Sequence, residues 1–580
     1  MTNPFAAHQE PRFSRTLSVL LVLGLLVSSL HAEAPDQESA MQGWTTGRTW
    51  LDQNQLPDLD SPAAVVPMND VEGVSVVLRL NGRTVGSASE FSNDDQLLRR
   101  VLGRAFARAL GDRTIGNLPD ELRNEAASRL TLEIEYAAAP VPLLGNDLSA
   151  AVTRVRPGLD GLAVRRNNDW SYTFPGRAVA TGTADSATSN ILRMVADLGL
   201  PPRDLPALRE LDRVGVYRFD TTRIAQSTPS TAPFVANRSG ATVSRDDVRG
   251  DRLVEFGDSI LKHLLAHLTT TEQQEKGAPI LLGDFDPVAD RYQPIEAPAL
   301  ERALTAWAFA TAAGTPALDP ALREHARAAA MPLLKSLPPI QANTPLISTD
   351  LAIIAASRLA TLPEEPDAEA VTFLQTHAAE LLKAGPIGTL AEQIRRVAAL
   401  ASIPIAIVPT ADHAKISRFI ERVWNDVDGN TVIPSLDWFA VAEQAWMERT
   451  GETSLRMQTL LDARSALLTR QLDQRSDADL EGGIALQLAA RHRVDARILR
   501  TALGMAILTN LQENEAPENA SSAVEGMLRF ARQLQVRPDD ASLFRGGHRG
   551  IGGLRQAPWS PNQPLAAEST ALLLVCEALD

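Results

Sequence analysis

The sequence predicts a multidomain protein, with an α+β N-terminal domain followed by an all-α C-terminal (α/α)6 toroid. Two observations support this fold class. Residues 71–225 alternate between apolar and polar positions around turn-forming pairs, which is typical of strands. In the second half, six apolar helices recur at spacings of roughly 40 to 67 residues, each beside a more polar helix, as in arrays of helical pairs. A chain of 580 residues is also too long for one core.

The N-terminus has the pattern of a signal peptide. Arg12 and Arg15 precede an apolar run at 17–30, which ends before the small residues Ala32 and Ala34. The run is shorter than the roughly 20 residues that cross a bilayer. We therefore predict a signal peptide at 1–32, cleaved after about Ala32 or Ala34, and a flexible segment at 33–70. The mature protein is expected to be periplasmic or secreted in a bacterium, with no stable membrane insertion.

The net charge argues against nucleic acid as a partner, and the cysteine content excludes internal disulfide bonds. The formal charge of −15 argues against nucleic acid, which is bound by clustered cations. The single cysteine, Cys576, cannot form an internal disulfide, and its apolar helical surroundings indicate a structural core thiol.

The first domain is predicted element by element. A β-hairpin is expected at 74–89, because Asn81 and Gly82 tolerate the positive φ of a type I′ turn. Period-two alternation predicts a strand at 130–136, and a second hairpin is expected at 161–174 around Asn167 and Asn168. The remaining predicted elements are helices at 94–110 and 187–198 and a strand at 214–219.

This order of elements carries a family resemblance. The segments "RLTLEIEYAAAPVPL", "PGLDGLAVRRNNDWSYTFPGRAV", "LGLPPRDL" and "VGVYRF" resemble the AMMECR-type domain, over roughly residues 71–225. The resemblance implies a compact α+β fold whose biochemical activity is not established. The family's Arg-Gly-Cys-Ile-Gly segment corresponds here to 85–89, where Ser87 replaces the thiol. Ser87 has no nearby histidine in the sequence to act as a base, so we predict a noncatalytic strand serine.

A turn-rich linker at 226–250 is expected to join this domain to the toroid at 251–580. Six helical pairs would bury their apolar faces on their neighbours, and a closed ring leaves no end exposed. The inner helices are predicted at 300–313, 350–362, 391–405, 436–447, 499–511 and 566–579. The outer helices are predicted at 256–268, 321–334, 368–382, 415–424, 455–472 and 523–534.

Function is expected in the loops at the rim of the ring, above all in the Gly-rich tract 544–563. The tract loosely resembles segments near the inner helices of terpene-cyclase-like and glycosidase-like α/α toroids. Its arginines offer planar donors to a carboxylate or phosphate, and its glycines allow close approach of the backbone. The competing interpretation is that the arginines pair with acids on the rim. The predicted ligand-binding residues are Trp438, Arg545, His548, Arg549, Arg555, Trp559 and Gln563.

Two carboxylates at loop-to-helix junctions are the candidate catalytic groups. Asp437 opens the fourth inner helix and Glu481 precedes the fifth, where they could act as general acid and base. Acidic residues at helix starts are also favoured by the helix dipole alone.

No metal and no cofactor are predicted. His263 and His267 have the i, i+4 spacing of two metal ligands on one helix. The glutamate and the third ligand of a zincin motif are missing, which favours packing or surface placement.

Three functions remain open at this stage. The first is a binding protein whose funnel takes an anionic small molecule, glycan or peptide. The second is a carbohydrate-active hydrolase, lyase or epimerase that uses the funnel carboxylates, and the third is a protein-interaction scaffold.

Overall fold

The computed structural model describes residues 35–68, 70–269, 279–338, 347–363, 366–383, 388–408, 410–425, 432–454, 456–473, 477–487, 493–512 and 518–580. The predicted signal peptide lies outside the described residues.

The first half contains an antiparallel sheet of eight strands, in the order β2-β1-β3-β7-β5-β6, with β4 and β8 also paired to β7. Helices pack on this sheet, so the predicted mixture of α and β structure is confirmed. The strands are β1 (Gly73–Leu80), β2 (Arg83–Phe91), β3 (Thr131–Ala137), β4 (Val141–Pro142), β5 (Asp160–Arg166), β6 (Asp169–Thr173), β7 (Val214–Ala225) and β8 (Phe234–Val235).

Both predicted hairpins are present. Asn81 and Gly82 join β1 to β2 with φ of 51° and 76°, as a type I′ turn requires. Asn167 has φ of 56° in the turn between β5 and β6. Strand β7 extends beyond the predicted 214–219 because its second half pairs with β3.

The helices of this half are α1 (Gln37–Asp52), α2 (Leu97–Gly111), α3 (Arg113–Gly116), α4 (Asp120–Ser128), α5 (Leu148–Val152), α6 (Pro175–Ala180), α7 (Ala187–Asp197) and α8 (Leu205–Glu210). Helix α1 corrects the prediction that residues 33–70 are a flexible segment. Its Trp44 and Trp50 are buried against the core of the sheet, and the indole Nε1 of Trp44 donates to the Leu132 carbonyl at 3.1 Å. Burial of these large rings stabilises the helix in place.

All twelve helices predicted for the second half are present. The more polar ones are α9 (Asp251–Ala266), α11 (Pro320–Lys335), α13 (Ala368–Lys383), α15 (Thr410–Asn425), α17 (Met457–Leu468) and α19 (Glu518–Leu534). The apolar ones are α10 (Ala299–Gly314), α12 (Ile347–Ala360), α14 (Leu390–Ser402), α16 (Leu436–Thr450), α18 (Ile498–Asn510) and α21 (Leu565–Leu579), and a short helix α20 (Pro538–Ala541) precedes the last.

The second half is not all-α, which corrects the prediction for residues 251–580. Two small antiparallel pairs connect α9 to α10: β9 (Leu268–Thr269) with β10 (Ile280–Leu281), and β11 (Asp284–Asp286) with β12 (Arg291–Gln293). The backbone of Phe285 also bridges to Gln563. The hydrogen bonds within these pairs satisfy backbone N–H and C=O groups in the connection between the two helices.

The two halves are packed together through the segment predicted as a linker. Residues 228–232 are largely exposed, but Arg238 and Ser239 are buried. The Arg238 guanidinium pairs with Asp479 and, at 2.6 Å, with Asp477, while its Nε donates to the Pro157 carbonyl. In addition, one hydrophobic cluster extends from residues of the first half into the helices of the second half.

Among the described residues, no helix combines the length and apolarity that crossing a membrane requires.

Candidate functional site

A cavity of about 370 Å³ lies among the apolar helices of the second half, and we call it the helical cavity. This volume is near the lower end of the range found for pockets that bind small molecules. Much of its wall is aliphatic, from the side chains of Leu300, Leu304, Leu351, Leu503 and Leu573. Its charged lining residues are Glu301, Arg395, Asp437, Arg497 and Arg500. The cavity thus combines an apolar wall with a few polar groups, as binding sites usually do.

Several of these polar groups lie near the starts of apolar helices. Glu301 is in the first turn of α10, Asp437 and Trp438 are in the first turn of α16, and Arg500 is in the first turn of α18. Their side chains line the cavity beyond the packed middle of each helix, although those of Asp437 and Trp438 are themselves largely buried. The apolar sequence that follows each of them buries the rest of the helix.

Trp438 is the centre of the polar part of the cavity. Its ring stacks on Trp307 with centroids 6.1 Å apart, and the guanidinium carbons of Arg395 and Arg500 lie 5.9 and 5.6 Å from its centroid. These distances are within cation–π range. The indole Nε1 of Trp438 is buried without a hydrogen-bond partner.

The two arginines beside Trp438 differ in how they are paired. Arg500 binds the Asp437 carboxylate at 2.5 Å, and burial raises the pKa of Asp437 although Arg500 opposes the shift. Arg395 has a buried Nε with no hydrogen-bond partner, and burial lowers its pKa. Arg395 therefore offers a donor that the protein itself does not use.

Glu301 is a second acid of the helical cavity with a raised pKa. Burial, reinforced by the negative charge of Asp284, raises the pKa of Glu301 to about 7. Its Oε2 is buried without a hydrogen-bond partner. A carboxyl group that titrates near neutral pH in a cavity can act as an acid or a base.

Of the nine residues predicted for the site, Asp437 and Trp438 line the helical cavity, and the other seven do not. Glu481 pairs with Arg245 at 3.3 Å, away from this cavity. The tract residues named for the site therefore do not share this cavity with Asp437, although Gln556 of the same tract does line it.

Arg555 and Trp559 are packed at the junction of the two halves. Arg555 is fully buried and donates to backbone carbonyls, among them that of Ser239 at 2.7 Å. These acceptors occupy its guanidinium, and burial lowers its pKa to about 10. Trp559 lies under the Arg238 guanidinium, 5.6 Å from its centroid. Both side chains hold the junction together, so they correct the prediction of ligand contacts.

The other tract residues divide between the surface and the core. Arg545 and His548 are exposed. Arg549 binds Asp290 at 2.9 Å, as the interpretation of rim ion pairs expects. Gln563 is fully buried, and its Nε2 donates to the Gly550 carbonyl at 3.0 Å.

His263 and His267 are buried beside a carboxylate that the sequence analysis did not connect to them. Together with Glu568 they form a group whose possible ligand atoms lie within 4.8 Å of one another, among the described residues. Burial lowers the pKa of His267. This group is separate from the helical cavity.

Ser87 lines another cavity, of about 460 Å³, in the first half. Arg104, Arg108 and Arg177 line it too, and no histidine or carboxylate is among its described lining residues. The described lining thus places cations but no histidine or carboxylate beside Ser87, and its noncatalytic role stays a prediction.

Four residues of these sites are not among those predicted from the sequence: Glu301, Arg395, Arg500 and Glu568. A signal for them was present, because each is a charged residue in a helix that is otherwise largely apolar. These four residues lie in helices, whereas the sequence pattern predicts function in the loops at the rim of the ring.

Comparison with known proteins adds little to this description. No family model matches the sequence, and no curated protein matches it. The uncharacterized protein PH0010 from Pyrococcus horikoshii is similar to part of the chain, with 17% identity over 35% of this chain and 98% of that protein, and a TM-score of 0.25. This similarity is too low to assign a fold or a function.

Proposed function

We propose that the second half is a binding domain for an amphiphilic anion, a small molecule with an apolar body and a carboxylate or similar group. In this proposal the apolar helices form the inner ring of an (α/α)6 toroid, and the helical cavity is its ligand site. The anionic ligand proposed from the sequence is kept, but its site moves from the Gly-rich tract to Arg395 and Trp438.

The order of helix contacts supports a closed ring. Successive apolar helices pack on each other from α10 through α12, α14, α16 and α18 to α21, and α21 packs back on α10. The more polar helices α11, α13, α15, α17 and α19 each pack on the apolar helix that precedes them, and α9 packs on α21. Each apolar helix thus has two neighbours of its own kind, which is the arrangement of a toroid.

One observation carries the ligand proposal. Three buried polar atoms without hydrogen-bond partners belong to residues that line the helical cavity: Glu301 Oε2, Arg395 Nε and Trp438 Nε1. Leaving such an atom unpaired costs about 1 to 3 kcal/mol each. A ligand whose acceptor reaches the two nitrogens, with a small movement of the Arg395 and Trp438 side chains, removes that cost.

The lining also supports a negative charge on this ligand. Three arginines and two carboxyl groups line the cavity, and Glu301 is partly protonated near neutral pH because its pKa is about 7. Arg497 is paired with Asp495 and Arg500 with Asp437, so the remaining charge of Arg395 exceeds that of the partly protonated Glu301 and leaves the cavity weakly positive. The leucine side chains that complete its wall favour an apolar body over a sugar.

A panel of four compounds tests this ligand class by thermal shift. We expect octanoate and 3-phenylpropanoate to raise the Tm of the full chain. Octanol, which lacks the charge, and glucuronate, which lacks the apolar body, should raise it much less, because each satisfies only one part of the cavity.

Matched arginine variants locate the site. Arg395→Met should abolish most of the shift, since it removes the free donor, whereas Arg545→Met at the exposed tract should retain it. If no anion of the panel shifts the Tm, or if Arg545→Met abolishes the shift and Arg395→Met does not, the proposed site is wrong.

A carbohydrate-active or related enzyme is the second candidate, and the pKa of Glu301 favours it. A carboxyl group with a pKa near 7 suits a general acid, and Asp437 lines the same cavity. Glu301 replaces Glu481 in this role, because Glu481 does not line the cavity.

Hydrolysis of 4-nitrophenyl glycosides tests the enzyme candidate. A wild-type rate that Glu301→Gln removes, with Glu481→Gln unaffected, would support it. No turnover of any glycoside in the panel counts against glycosidase chemistry at this site.

A further inference from the structure

The structure assigns a buried metal site, best suited to Zn²⁺, to His263, His267, Glu568 and Gln563. It is distinct from the helical cavity and independent of the proposed ligand. Three features support the site: the distances among the ligand atoms, the buried acceptors without partners, and the glycine beside them.

The distances fit a tetrahedral ion. The Nε2 atoms of His263 and His267 are 3.1 Å apart, and the His263 Nε2 lies 3.3 Å from Glu568 Oε1. The His267 Nε2 lies 3.8 Å from Glu568 Oε2. Ligand atoms about 2.0 to 2.1 Å from a tetrahedral zinc are about 3.3 to 3.4 Å from one another. The three side chains therefore converge at the separation that zinc ligands have.

Gln563 supplies the fourth ligand atom. Its Nε2 donates to the Gly550 carbonyl, which leaves its Oε1 as a buried acceptor with no hydrogen-bond partner. A Cβ on Gly553 would lie 2.5 Å from Gln563 Oε1, 2.6 Å from His263 Nε2 and 2.7 Å from Glu568 Oε1. These three atoms thus converge beside Gly553, where any larger residue would push them apart.

Hydrogen bonds within the cluster cannot satisfy its acceptors. The His267 Nδ1–H donates to the Leu282 carbonyl at 3.3 Å, so the Nε2 of that ring carries only a lone pair. His263 Nε2 has one proton at most for His267 Nε2 and Glu568 Oε1. Glu568 Oε2 remains without a partner, as does Gln563 Oε1. A cation satisfies all of these acceptors at once.

The surrounding contacts hold the ligands in place. The Leu282 carbonyl fixes the tautomer and orientation of the His267 ring, a common feature of zinc-bound histidine. The Leu554 amide donates to Glu568 Oε1 at 3.3 Å. All four ligand side chains are at most 4% exposed, which leaves no open coordination position to solvent and indicates a structural ion.

The site has a structural consequence for the helical half. His263 lies in α9 and His267 directly follows it, whereas Gln563 precedes α21 and Glu568 is in its first turn. One ion therefore cross-links the first and last helices of this half, which are about as far apart in sequence as its length allows. Imidazole and carboxylate ligands suit Zn²⁺, and the absence of thiolates excludes the softest ions.

Metal analysis of the full chain, without a histidine tag, tests this assignment. After incubation with Zn²⁺ and dialysis, mass spectrometry should find about one zinc ion per chain. Replacement with Co²⁺ should give the intense visible absorption of a tetrahedral site. A wild-type chain that retains no zinc, or a Co²⁺ spectrum of weak octahedral type, overturns the assignment.

Variants test the ligands individually. Glu568→Gln and His263→Ala should lose the retained zinc, and Gly553→Ala should lose it because its Cβ would lie 2.5 to 2.7 Å from three of the ligand atoms and displace them. His548→Ala, an exposed histidine of the same tract, is the matched control and should retain it. Equal zinc content in the control and in all three ligand-site variants overturns the assignment. If a variant does not fold, the zinc content and Co²⁺ spectrum of the wild-type chain still decide the question.

Discussion

The proposed function depends on buried polar atoms without hydrogen-bond partners at three individual residues. Arg395, Trp438 and Glu301 each hold a buried polar atom without a partner, although most buried polar groups in proteins have one. Because the three residues line one cavity, a single ligand can satisfy more than one of them. Their coincidence in space is stronger evidence than any one of them alone.

Glu301 should make ligand binding depend on pH. Burial raises its pKa to about 7, so it is neutral below that pH and carries a negative charge above it. Octanoate should bind about 5-fold more weakly at about pH 8 than at about pH 6, a difference of about 1 kcal/mol. Calorimetric titration measures the affinities, and Glu301→Gln should remove the difference. A wild-type affinity that is constant across this range contradicts the role given to Glu301.

Glu135 should lower the stability of the first half as the pH rises. Burial raises its pKa from 4.5 in the unfolded chain to about 7, opposed mainly by Arg223. Between these values the unfolded chain releases the proton first, so stability falls with rising pH by up to about 1.4 kcal/mol per unit. Relative to wild type, Glu135→Gln should therefore gain about 3 kcal/mol between about pH 4.5 and about pH 7.5.

Urea unfolding at several pH values measures this gain. Glu135→Gln keeps an oxygen to accept the Gly176 amide, which donates to Glu135 Oε1 at 2.8 Å. Glu125→Gln, at a largely exposed position, controls for the loss of one charge. If the free energy of unfolding changes with pH in the same way in wild type and in Glu135→Gln, the pKa of the Glu135 carboxyl is not raised in the folded protein.

At the scale of elements, periodicity in the sequence was sufficient to predict most strands and all twelve helices of the second half. Asn81 and Gly82 fixed the first hairpin because their positive φ is a local property. Helix α1 was missed because Trp44 and Trp50 form no clear pattern by themselves, and their burial depends on a sheet that forms from residues far along the chain. The strand pairs at 268–293 were missed for the same reason.

The turn between β1 and β2 should be sensitive to a single methyl group. Gly82 has positive φ, and a Cβ there would lie 2.5 Å from the Phe544 carbonyl oxygen of the second half. Gly82→Ala should therefore destabilise the protein by about 2 to 4 kcal/mol, from backbone strain and a backbone collision together. Gly182 also has positive φ but open space around its Cβ position.

Gly182→Ala is thus the matched control, with an expected cost of about 1 to 2 kcal/mol from strain alone. Chemical unfolding of both variants measures the difference. Equal effects of the two substitutions would mean that the hairpin does not contact the 544 region in solution.

At the scale of the whole molecule, Arg238 links the two halves. Its side chain is fully buried, and it pairs with Asp479, which is also buried. Arg238→Met leaves the Asp479 charge without its partner and should cost about 3 to 5 kcal/mol. Calorimetry should then show two separate unfolding transitions where the wild type shows one. The exposed Arg252→Met is the control, and a single unchanged transition in Arg238→Met contradicts a linked molecule.

Export also belongs to this scale and stays a prediction. Intact-mass analysis of the protein from a bacterial host should give a mature chain that starts after Ala32 or Ala34. Recovery of the chain with its N-terminus intact, from the cytoplasm alone, would contradict the signal peptide.

The sequence indicated where functional groups could be, but not which of them meet. Asp437 and Trp438 were predicted for the site and line the helical cavity, whereas Arg555 and Trp559 were predicted for the same site and hold the junction. Arginine-rich loops can bind either a ligand or the protein's own carbonyls, and only the folded structure distinguishes the two. Likewise, Glu568 lies about three hundred residues from His263, a separation that no local motif spans.

In the proposed function, an amphiphilic anion binds in the helical cavity at Arg395. A crystal structure of the full chain with ω-bromooctanoate tests it most directly, because the anomalous signal of bromine locates the apolar end. We expect a bromine peak beside Leu304 and Leu573, with the carboxylate in hydrogen-bond contact with Arg395. A peak beside Arg545 and His548 or in the cavity of Ser87, or no peak at saturating ligand, would contradict it.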